Sequence, residues 1–144
     1  MQVTRAGEYG IIGLLYLARQ PPGRTVMVDE ISASEKIPKS FLAKIFQSLV
    51  KAGLVQSVRG AKGGFRLAKP PSKITVLEIL NCVEDGFALQ KCVTDRPKCV
   101  VAERRVSGCA LCQISGEAQH RLNEVLSRTT LEQLLKTQPE HANH

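Results

Sequence analysis

The most constraining feature of the sequence is a pair of short helical patterns separated by a proline. The first pattern predicts a short helix over residues 28–36, with acidic residues near the helix start. The second has apolar residues at helical spacing and predicts a longer helix over residues 39–52. Ile37-Pro38 ends the first helix, because proline disfavours helical backbone in the residue before it, and Gly53 ends the second. Two helices joined this tightly indicate a helix–turn–helix.

Two short strand patterns follow these helices directly. Residues 54–58 and 65–67 predict the strands, and the turn between them is the basic, glycine-rich sequence RGAKGG of residues 59–64. A helix–turn–helix followed by a basic hairpin is a winged helix–turn–helix. We therefore predict a mainly α-helical chain with a small β-hairpin wing.

The helix over residues 39–52 has an apolar face and a polar face. Its polar positions, all able to reach phosphates or bases, are Ser40, Lys44, Gln47, Ser48 and Lys51. The major groove of DNA admits one α-helix, whose N-terminal residues usually contact base edges. We therefore predict that Ser40 and Lys44 contact bases and that the later positions contact phosphates. The alternative is an ordinary solvated helix face.

The wing and the charge distribution also favour a polyanionic partner. Arg59 and Lys62 are expected to enter or flank the minor groove. Residues 1–73 contain 12 Lys and Arg against 4 Asp and Glu, a net charge of +8, whereas residues 74–144 contain 8 against 9, a net charge of −1. A basic N-terminal half is typical of proteins that bind double-stranded DNA. The alternative is a basic surface that only aids solubility.

The charge boundary coincides with a predicted domain boundary. Residues 69–73, rich in proline and lysine, are interpreted as a linker between a DNA-binding domain over residues 1–73 and a second domain over residues 74–144. Residues 5–19 predict the first helix. This helix is apolar over so much of its circumference that it belongs inside a bundle or a dimer.

The second half contains two patterns that resemble capping boxes, in which a threonine and an acidic residue three positions later close a helix start. Thr75 and Glu78 predict a helix that ends near residue 84. Thr129 and Glu132 predict a last, short helix. A longer helix is predicted over residues 111–127, because apolar residues at helical spacing lie along one side of it: Ile114, Ala118, Leu122 and Val125.

Four cysteines are crowded into the spacing Cys92-x6-Cys99-x9-Cys109-x2-Cys112. Residues 86–108 show no periodicity and predict a loop, which is usually functional at this length. Four thiolates fit an iron–sulfur cluster or zinc. Structural zinc usually has two tight cysteine pairs, and only one exists here, which favours iron–sulfur. Redox-active thiols without a metal, or inert buried cysteines, are the alternatives.

The fifth cysteine and the apolar runs set further limits. Cys82 lies in an apolar helical stretch and is expected in the core. No apolar run is long enough to span a membrane, and the first residues do not resemble a secretory signal. We therefore expect a cytoplasmic protein without a membrane partner, in which a disulfide framework is disfavoured.

Taken together, these motifs resemble the family of the iron–sulfur cluster regulator IscR, which includes the nitric-oxide-sensing repressor NsrR. The resemblance rests on Thr4 and Tyr9, on the helix that begins near Ser40, on the wing sequence VRGAKGGF of residues 58–65 and on the downstream cysteines. It covers nearly the whole chain. It implies a homodimer, built on long C-terminal helices, that reads a near-palindromic DNA operator and holds a labile iron–sulfur cluster.

The resemblance also implies the cluster ligands. Three loop cysteines of the family correspond to Cys92, Cys99 and Cys109, although the gaps here are wider than usual. Cys112 occupies the place of the histidine in IscR-like proteins, and Glu8 is the counterpart of the N-terminal acidic ligand in NsrR-like proteins. A four-cysteine site suits a 2Fe-2S cluster, which we favour, or a 4Fe-4S cluster. Without a ligand role, Glu8 is a charge at a helix start.

The sequence therefore predicts a DNA-binding transcriptional repressor that senses iron–sulfur status, redox state or nitric oxide. A metal-free, thiol-based redox repressor and a repressor with a structural zinc site stay open as alternatives. An enzyme is disfavoured. Cys109-x2-Cys112 has the spacing of a thiol oxidoreductase, but no thioredoxin-like βαβ pattern surrounds it.

Overall fold

The structure is a computed structural model that describes residues 3–84 and 110–137. Within these ranges the chain forms six α-helices, one 3₁₀ turn and a two-stranded antiparallel sheet. In chain order the elements are α1 (Arg5–Ala18), α2 (Val28–Glu35), α3 (Lys39–Lys51), β1 (Val55–Val58), β2 (Gly64–Leu67), the 3₁₀ turn (Pro71–Lys73), α4 (Val76–Val83), α5 (Ala110–Arg128) and α6 (Leu131–Thr137). The predicted fold class is confirmed. The loop predicted over residues 86–108 lies outside the described residues.

The turn between α2 and α3 has a left-handed residue that is not glycine. Lys36 has φ 56° and ends α2. The hydroxyl of Ser32 donates to the carbonyl of Ile37 at 2.5 Å, and the Ile37 amide donates to the carbonyl of Ser32 at 3.2 Å. Ile37 itself is buried. These contacts stabilise the tight turn and fix the direction in which α3 leaves it.

The hydrophobic core surrounds α1, which contacts α3, α4 and α6. Three buried glycines, Gly7, Gly10 and Gly13, let neighbouring side chains approach this helix closely. A Cβ atom at Gly13 would lie 2.9 Å from Cε2 of Phe46, a buried residue of α3. The apolar circumference of α1 predicted a position inside a bundle or a dimer, but its pattern did not identify these glycines as contact points.

One continuous core extends across the predicted linker. Ile74 and Leu131, both fully buried, belong to the same cluster as Leu14 of α1 and Leu42 of α3. The amide of Leu131 also donates to the carbonyl of Ile74 at 2.8 Å. The α4 and α6 helices therefore pack on the N-terminal half. The division into domains over residues 1–73 and 74–144 stays a prediction.

The first predicted capping box is present. The amide of Glu78 donates to Oγ1 of Thr75 at 3.2 Å, and the amide of Thr75 donates to Oε2 of Glu78 at 3.0 Å. These reciprocal bonds satisfy two donors that the first turn of a helix otherwise leaves unpaired. They fix the start of α4.

The second predicted capping box was placed one residue too early. The amide of Thr130 donates to Oε1 of Gln133 at 3.0 Å, and the amide of Gln133 donates to Oγ1 of Thr130 at 3.3 Å. Thr129 instead belongs to the end of α5, where its hydroxyl donates to the carbonyl of Val125 at 2.9 Å. Thr129-x-x-Glu132 and Thr130-x-x-Gln133 both have the spacing of the motif. Because α5 extends to Arg128, the capping box forms at the second pair.

The start of α1 is closed by a residue far along the chain. The amide and the hydroxyl of Thr4 both donate to Oε1 of Glu84, at 2.7 and 2.9 Å. Thr4 is the residue before α1, and its side chain makes no cap bond within that helix. A Cβ atom at Gly7 would collide with the same Glu84 oxygen. The carboxylate therefore provides the negative charge that the N-terminus of α1 favours.

Candidate nucleic-acid interface

The α3 helix presents one face to the core and the other to solvent. Leu42, Ile45, Phe46 and Leu49 are buried. The opposite face has Ser40, Lys44, Gln47 and Lys51, all of them exposed. The second helix of a helix–turn–helix motif reads the major groove with its solvent face. Four of the five predicted contact positions of α3 therefore lie on one accessible surface.

Ser48 is placed differently from the other four. It is only half-exposed, and its hydroxyl donates to the carbonyl of Lys44 at 3.4 Å. Its own carbonyl accepts a hydrogen bond from Sγ of Cys82 in α4 at 3.1 Å. Ser48 therefore lies on the side of α3 that meets α4, at the edge of the DNA-facing surface.

The wing places two further cations beside α3. Arg59 and Lys62 lie in the turn between β1 and β2, and both are exposed. The ring of Phe65 in β2 packs on the ring of Phe46 in α3, with centroids 5.0 Å apart. This contact, together with those between β1 and α3, holds the hairpin beside the helix.

Four cations of this surface are not engaged in ion pairs within the described part of the chain. Lys44, Lys51, Arg59 and Lys62 form no ion pair with any residue of ranges 3–84 and 110–137. Lys39, at the start of α3, differs because its Nζ lies 2.5 Å from a carboxylate oxygen of Asp29. Cations without an acidic partner in the protein are available to bind phosphates, and their binding releases the counterions condensed on DNA.

Two residues of this region were not predicted from the sequence to contribute to it. Phe41 follows Ser40 on α3, is 41% exposed, and meets the ring of Tyr9 edge-on with centroids 5.6 Å apart. Thr25, just before α2, donates from its hydroxyl to the carbonyl of Lys62 at 2.7 Å. Phe41 was missed because only polar positions were considered. Thr25 was missed because no local pattern marks a contact across 37 residues.

The predicted cluster ligands are largely outside the described residues. Cys92, Cys99 and Cys109 fall in the range that the structure leaves undescribed, and Cys112 lies in the first turn of α5. Glu8 is exposed in the first turn of α1. Within residues 3–84 and 110–137, no group of three or more His, Cys, Asp or Glu residues has the arrangement of a metal site. The ligand set therefore stays a prediction.

Cys82 lies at the edge of the core. It is half-buried, packs against the main core cluster, and donates to the carbonyl of Ser48 as described above. Burial raises the pKa of the Cys82 thiol above its ordinary value. A protonated, partly buried thiol is a poor nucleophile, which separates Cys82 in character from a metal-binding cysteine.

The structure leaves an apolar strip on the outer face of α5. Leu111, Ile114 and Val125 are 53%, 66% and 62% exposed. Ile114 and Val125 are eleven residues apart, close to three helical turns, so they share a face. None of the helices within the described residues is long and apolar enough to cross a membrane.

Comparison with known protein families identifies the chain. The model of the Rrf2 family, described as an iron-dependent transcriptional regulator, matches residues 3–137. The chain belongs to the Rrf2 family. The match covers the helix–turn–helix, the wing, all four clustered cysteines and α5.

Individual members of the Rrf2 family agree with this assignment. The HTH-type transcriptional regulator NsrR of Bacillus licheniformis is 30% identical over 139 residues, which are 96% of this chain and 94% of that protein. The solved structure of IscR from T. potens has a TM-score of 0.77 at 26% identity and covers 100% of this chain and 93% of its own. CymR of B. subtilis, titled the global cysteine regulator, has a TM-score of 0.78 at 24% identity, with coverages of 96% and 99%.

The similarity to Rrf2 proteins decides the broad function. The similar proteins are transcriptional regulators, and this chain is a DNA-binding transcriptional regulator and not an enzyme. The sequence-based prediction of that class is confirmed.

Proposed function

We propose that the protein is a homodimeric repressor that reads a near-palindromic operator and responds to a labile iron–sulfur cluster. The observation that carries the DNA-binding part is the exposed face of α3 beside the wing, where Lys44, Lys51, Arg59 and Lys62 have no ion partner among the described residues. A surface of this kind gains affinity for DNA from counterion release. The proposal places the protein in the cytoplasm, together with its operator.

The apolar strip of α5 supports the homodimer. Its exposed residues Leu111, Ile114 and Val125 form a face of a long helix that no described residue covers. A second copy of α5 would bury this face by a two-fold arrangement, in which the same surface of both subunits meets. Such a dimer presents two α3 helices to two half-sites, which is why a near-palindromic operator is part of the proposal.

The donor set supports an iron–sulfur cluster. Cys92, Cys99, Cys109 and Cys112 supply four thiolates, the ligands that such clusters prefer, and the family model is described as iron-dependent. Glu8 is the alternative to Cys112 as the fourth ligand. When bound, the cluster supplies a redox-active and labile iron centre; we favour 2Fe-2S over 4Fe-4S. A typical coupling of about 1–3 kcal/mol between the two sites corresponds to a change in DNA affinity of about 5–150-fold.

A metal analysis tests the cofactor. Iron, acid-labile sulfide and zinc are measured per monomer, with the visible spectrum, in protein purified without oxygen. We expect near-equal iron and sulfide that are lost from the single serine variants of Cys92, Cys99 and Cys109. Cys82→Ser is the matched control, because the contacts of Cys82 are with the core and Ser48, and it should retain the iron.

The fourth ligand is tested by the same measurement on Cys112→Ser and Glu8→Gln. The variant that loses its cluster or changes its spectrum identifies the ligand. Zinc without sulfide in the unaltered chain contradicts the iron–sulfur proposal and favours a structural metal. Absence of both metals after attempted reconstitution favours a metal-free thiol repressor, to which the Cys109-x2-Cys112 pair is suited by its spacing.

The DNA-binding surface is tested with duplexes selected by the unaltered protein from a randomised pool. We expect Lys44→Ala and Arg59→Ala each to weaken binding about tenfold. Arg59→Ala should also lower the slope of log affinity against log salt by about one, the effect of one lost phosphate contact. Lys136→Ala is the matched control, because Lys136 is an exposed lysine in α6 that pairs with Glu132. Unchanged affinity in both test variants would mean that α3 and the wing are not the DNA-binding surface.

A further inference from the structure

The tip of the wing is the least supported part of the proposed DNA-binding surface. The ladder between β1 and β2 ends at the pair Val58 and Gly64. Beyond it, the tip is closed by one backbone bond, from the amide of Gly63 to the carbonyl of Gly60 at 2.9 Å. Gly60 has φ 120°, a conformation that residues with a Cβ rarely adopt. Because glycine loses more conformational entropy than any other residue when its backbone is fixed, the position of the tip depends strongly on any further contact.

One further contact reaches the tip from outside the hairpin. The hydroxyl of Thr25 donates to the carbonyl of Lys62 at 2.7 Å. Within the described residues, this is the only side-chain hydrogen bond to residues 59–63. The bond therefore supports the tip of the wing, the segment that contains the exposed cations Arg59 and Lys62.

Thr25 is itself firmly placed. The next residue, Val26, is fully buried and forms an isolated antiparallel bridge with Phe65. The amide of Val26 donates to the carbonyl of Phe65 at 2.8 Å, and the amide of Phe65 donates to the carbonyl of Val26 at 2.7 Å. The residue after Val26 begins the approach to α2. The helix–turn–helix thus supplies a fixed edge for the wing, and the Thr25 hydroxyl extends that edge to the tip.

We propose that Thr25 is a positioning residue for DNA binding. Its hydroxyl holds the wing tip so that Arg59 and Lys62 reach phosphates at the same time as the cations of α3. This inference rests on the DNA-binding surface proposed above. Thr25 has no charge, and in this proposal it acts on DNA through the wing cations. Loss of its hydroxyl should therefore lower the salt dependence of binding, which neither a lost direct contact of a neutral residue nor a general loss of stability would do.

Thr25→Val tests the proposal, because valine keeps the shape of threonine and removes the donor. Binding is measured over a series of salt concentrations, with the duplex selected by the unaltered full-length protein. The loss of one neutral hydrogen bond should weaken binding about threefold to tenfold. The slope of log affinity against log salt should fall by about one, as for a lost phosphate contact. Thr25→Ser keeps a hydroxyl and should restore both values.

A matched control separates this role from an effect on folding. Thr137→Val removes a hydroxyl that donates to the carbonyl of Leu134 at the end of α6, far along the chain from the wing. It should leave affinity and salt slope unchanged. Thermal unfolding of every variant is followed by circular dichroism, and binding is measured at a temperature where all are folded. A loss of affinity in Thr25→Val with an unchanged slope and no rescue by serine overturns the positioning role.

Double variants complete the test. Thr25→Val should add no further loss to a chain that already has Arg59→Ala and Lys62→Ala, because threonine acts through those two side chains. If the two alanine variants weaken binding but Thr25→Val does not, the positioning role alone is wrong. If the alanine variants leave binding unchanged, the proposed DNA-binding surface is wrong, and the role of Thr25 with it.

Discussion

The α3 and α5 helices are both amphipathic, but they differ in which kind of residue is buried and which is exposed to solvent. The apolar residues of α3 are buried within its own chain, and its polar residues are in solvent. Along α5, Ser115 and Gln119 are buried at 8% and 4% exposure, whereas Ile114 and Val125 are in solvent. Gln119 is satisfied in part by a bond from its Nε2 to Oδ1 of Asn123 at 2.8 Å. Within residues 3–84 and 110–137, the apolar face of α5 is therefore left uncovered, whereas that of α3 is buried.

The contrast implies that the two helices respond differently to the same kind of change. A change on the outer face of α3 should alter contacts with DNA and leave the chain otherwise intact. A change on the outer face of α5 should alter which molecules associate. Three expected results follow, from the largest effect to the smallest.

The largest expected effect comes from a charge in the apolar strip of α5. Ile114→Lys should prevent the proposed dimer from forming, because burying the lysine charge at an apolar interface costs a large desolvation free energy. Loss of the second half-site contact should reduce affinity for a palindromic duplex by about 10²–10⁴-fold. Analytical ultracentrifugation and titration of labelled duplex measure the two quantities.

The matched control for this change is Gln113→Lys. Gln113 is the preceding residue of α5, is also exposed, and lies about 100° away around the helix. It should leave the oligomeric state unchanged. If the unaltered protein is a monomer, or if the dimer persists in Ile114→Lys, then the apolar strip of α5 is not covered by a second copy of the chain.

Two glycine-to-alanine changes should affect stability in opposite directions. At Gly13 of α1, the new Cβ atom would meet the Phe46 ring, and overpacking should lower the free energy of unfolding by about 1–3 kcal/mol. At Gly116 of α5, no described atom outside the helix's own neighbouring backbone lies within 4 Å of the new Cβ, and the better helix propensity of alanine should raise the free energy of unfolding by about 0.5–1 kcal/mol. Urea denaturation measures both. A loss of stability in Gly116→Ala would place a contact on that side of α5.

The smallest expected effect concerns ion pairs. Arg24 lies 2.8 Å from Oε1 of Glu30, and the hydroxyl of Tyr16 in α1 donates to the same oxygen at 2.8 Å. The hydrogen bond from Arg24, and then that from Tyr16, lower the pKa of Glu30 below its ordinary value. The ionised carboxylate therefore stabilises the fold above the pKa of the unfolded chain, and this stabilisation is lost as the pH falls through the lower pKa of the folded state.

A comparison of two glutamine variants measures this contribution. Glu30→Gln should lower the free energy of unfolding by a few tenths of a kcal/mol at pH 7, since the pair is more than a third exposed, and the difference from the unaltered chain should vanish at acidic pH. Glu117→Gln is the control: its pair with Arg121 spans 4.0 Å, both side chains are 74% exposed, and no effect is expected. Equal effects of the two changes would contradict the distinction between these ion pairs.

The fold was predictable from the sequence where one local pattern decides the structure. The spacing of apolar residues in α3 predicted its buried face, since those positions are covered by the same chain. The same reasoning grouped Ile114, Ala118, Leu122 and Val125 on one side of α5. Only Leu122 among them packs against the small cluster of Val76 and Leu80. Periodicity shows which residues share a face, but it does not show what covers that face.

Contacts between distant residues could not be predicted in this way. The bond from Thr25 to Lys62 spans 37 residues, and nothing in either neighbourhood marks the partner. The candidate DNA-binding residues were predictable because charge and exposure are properties of single positions. The cysteine site depends on bringing Cys92, Cys99 and Cys109 together, and their spacing constrains only the chemistry of the ligands.

The carboxylate of Glu84 at the start of α1 has a consequence for the order in which the protein forms. The first helix of the chain has no side-chain cap of its own, and the group that closes it is 80 residues further on. During synthesis, α1 therefore leaves the ribosome long before its partner does. Its first turn can become fully stable only after α4 has been made and has packed against it. The N-terminus of α1 is therefore capped only after residue 84 has been synthesised.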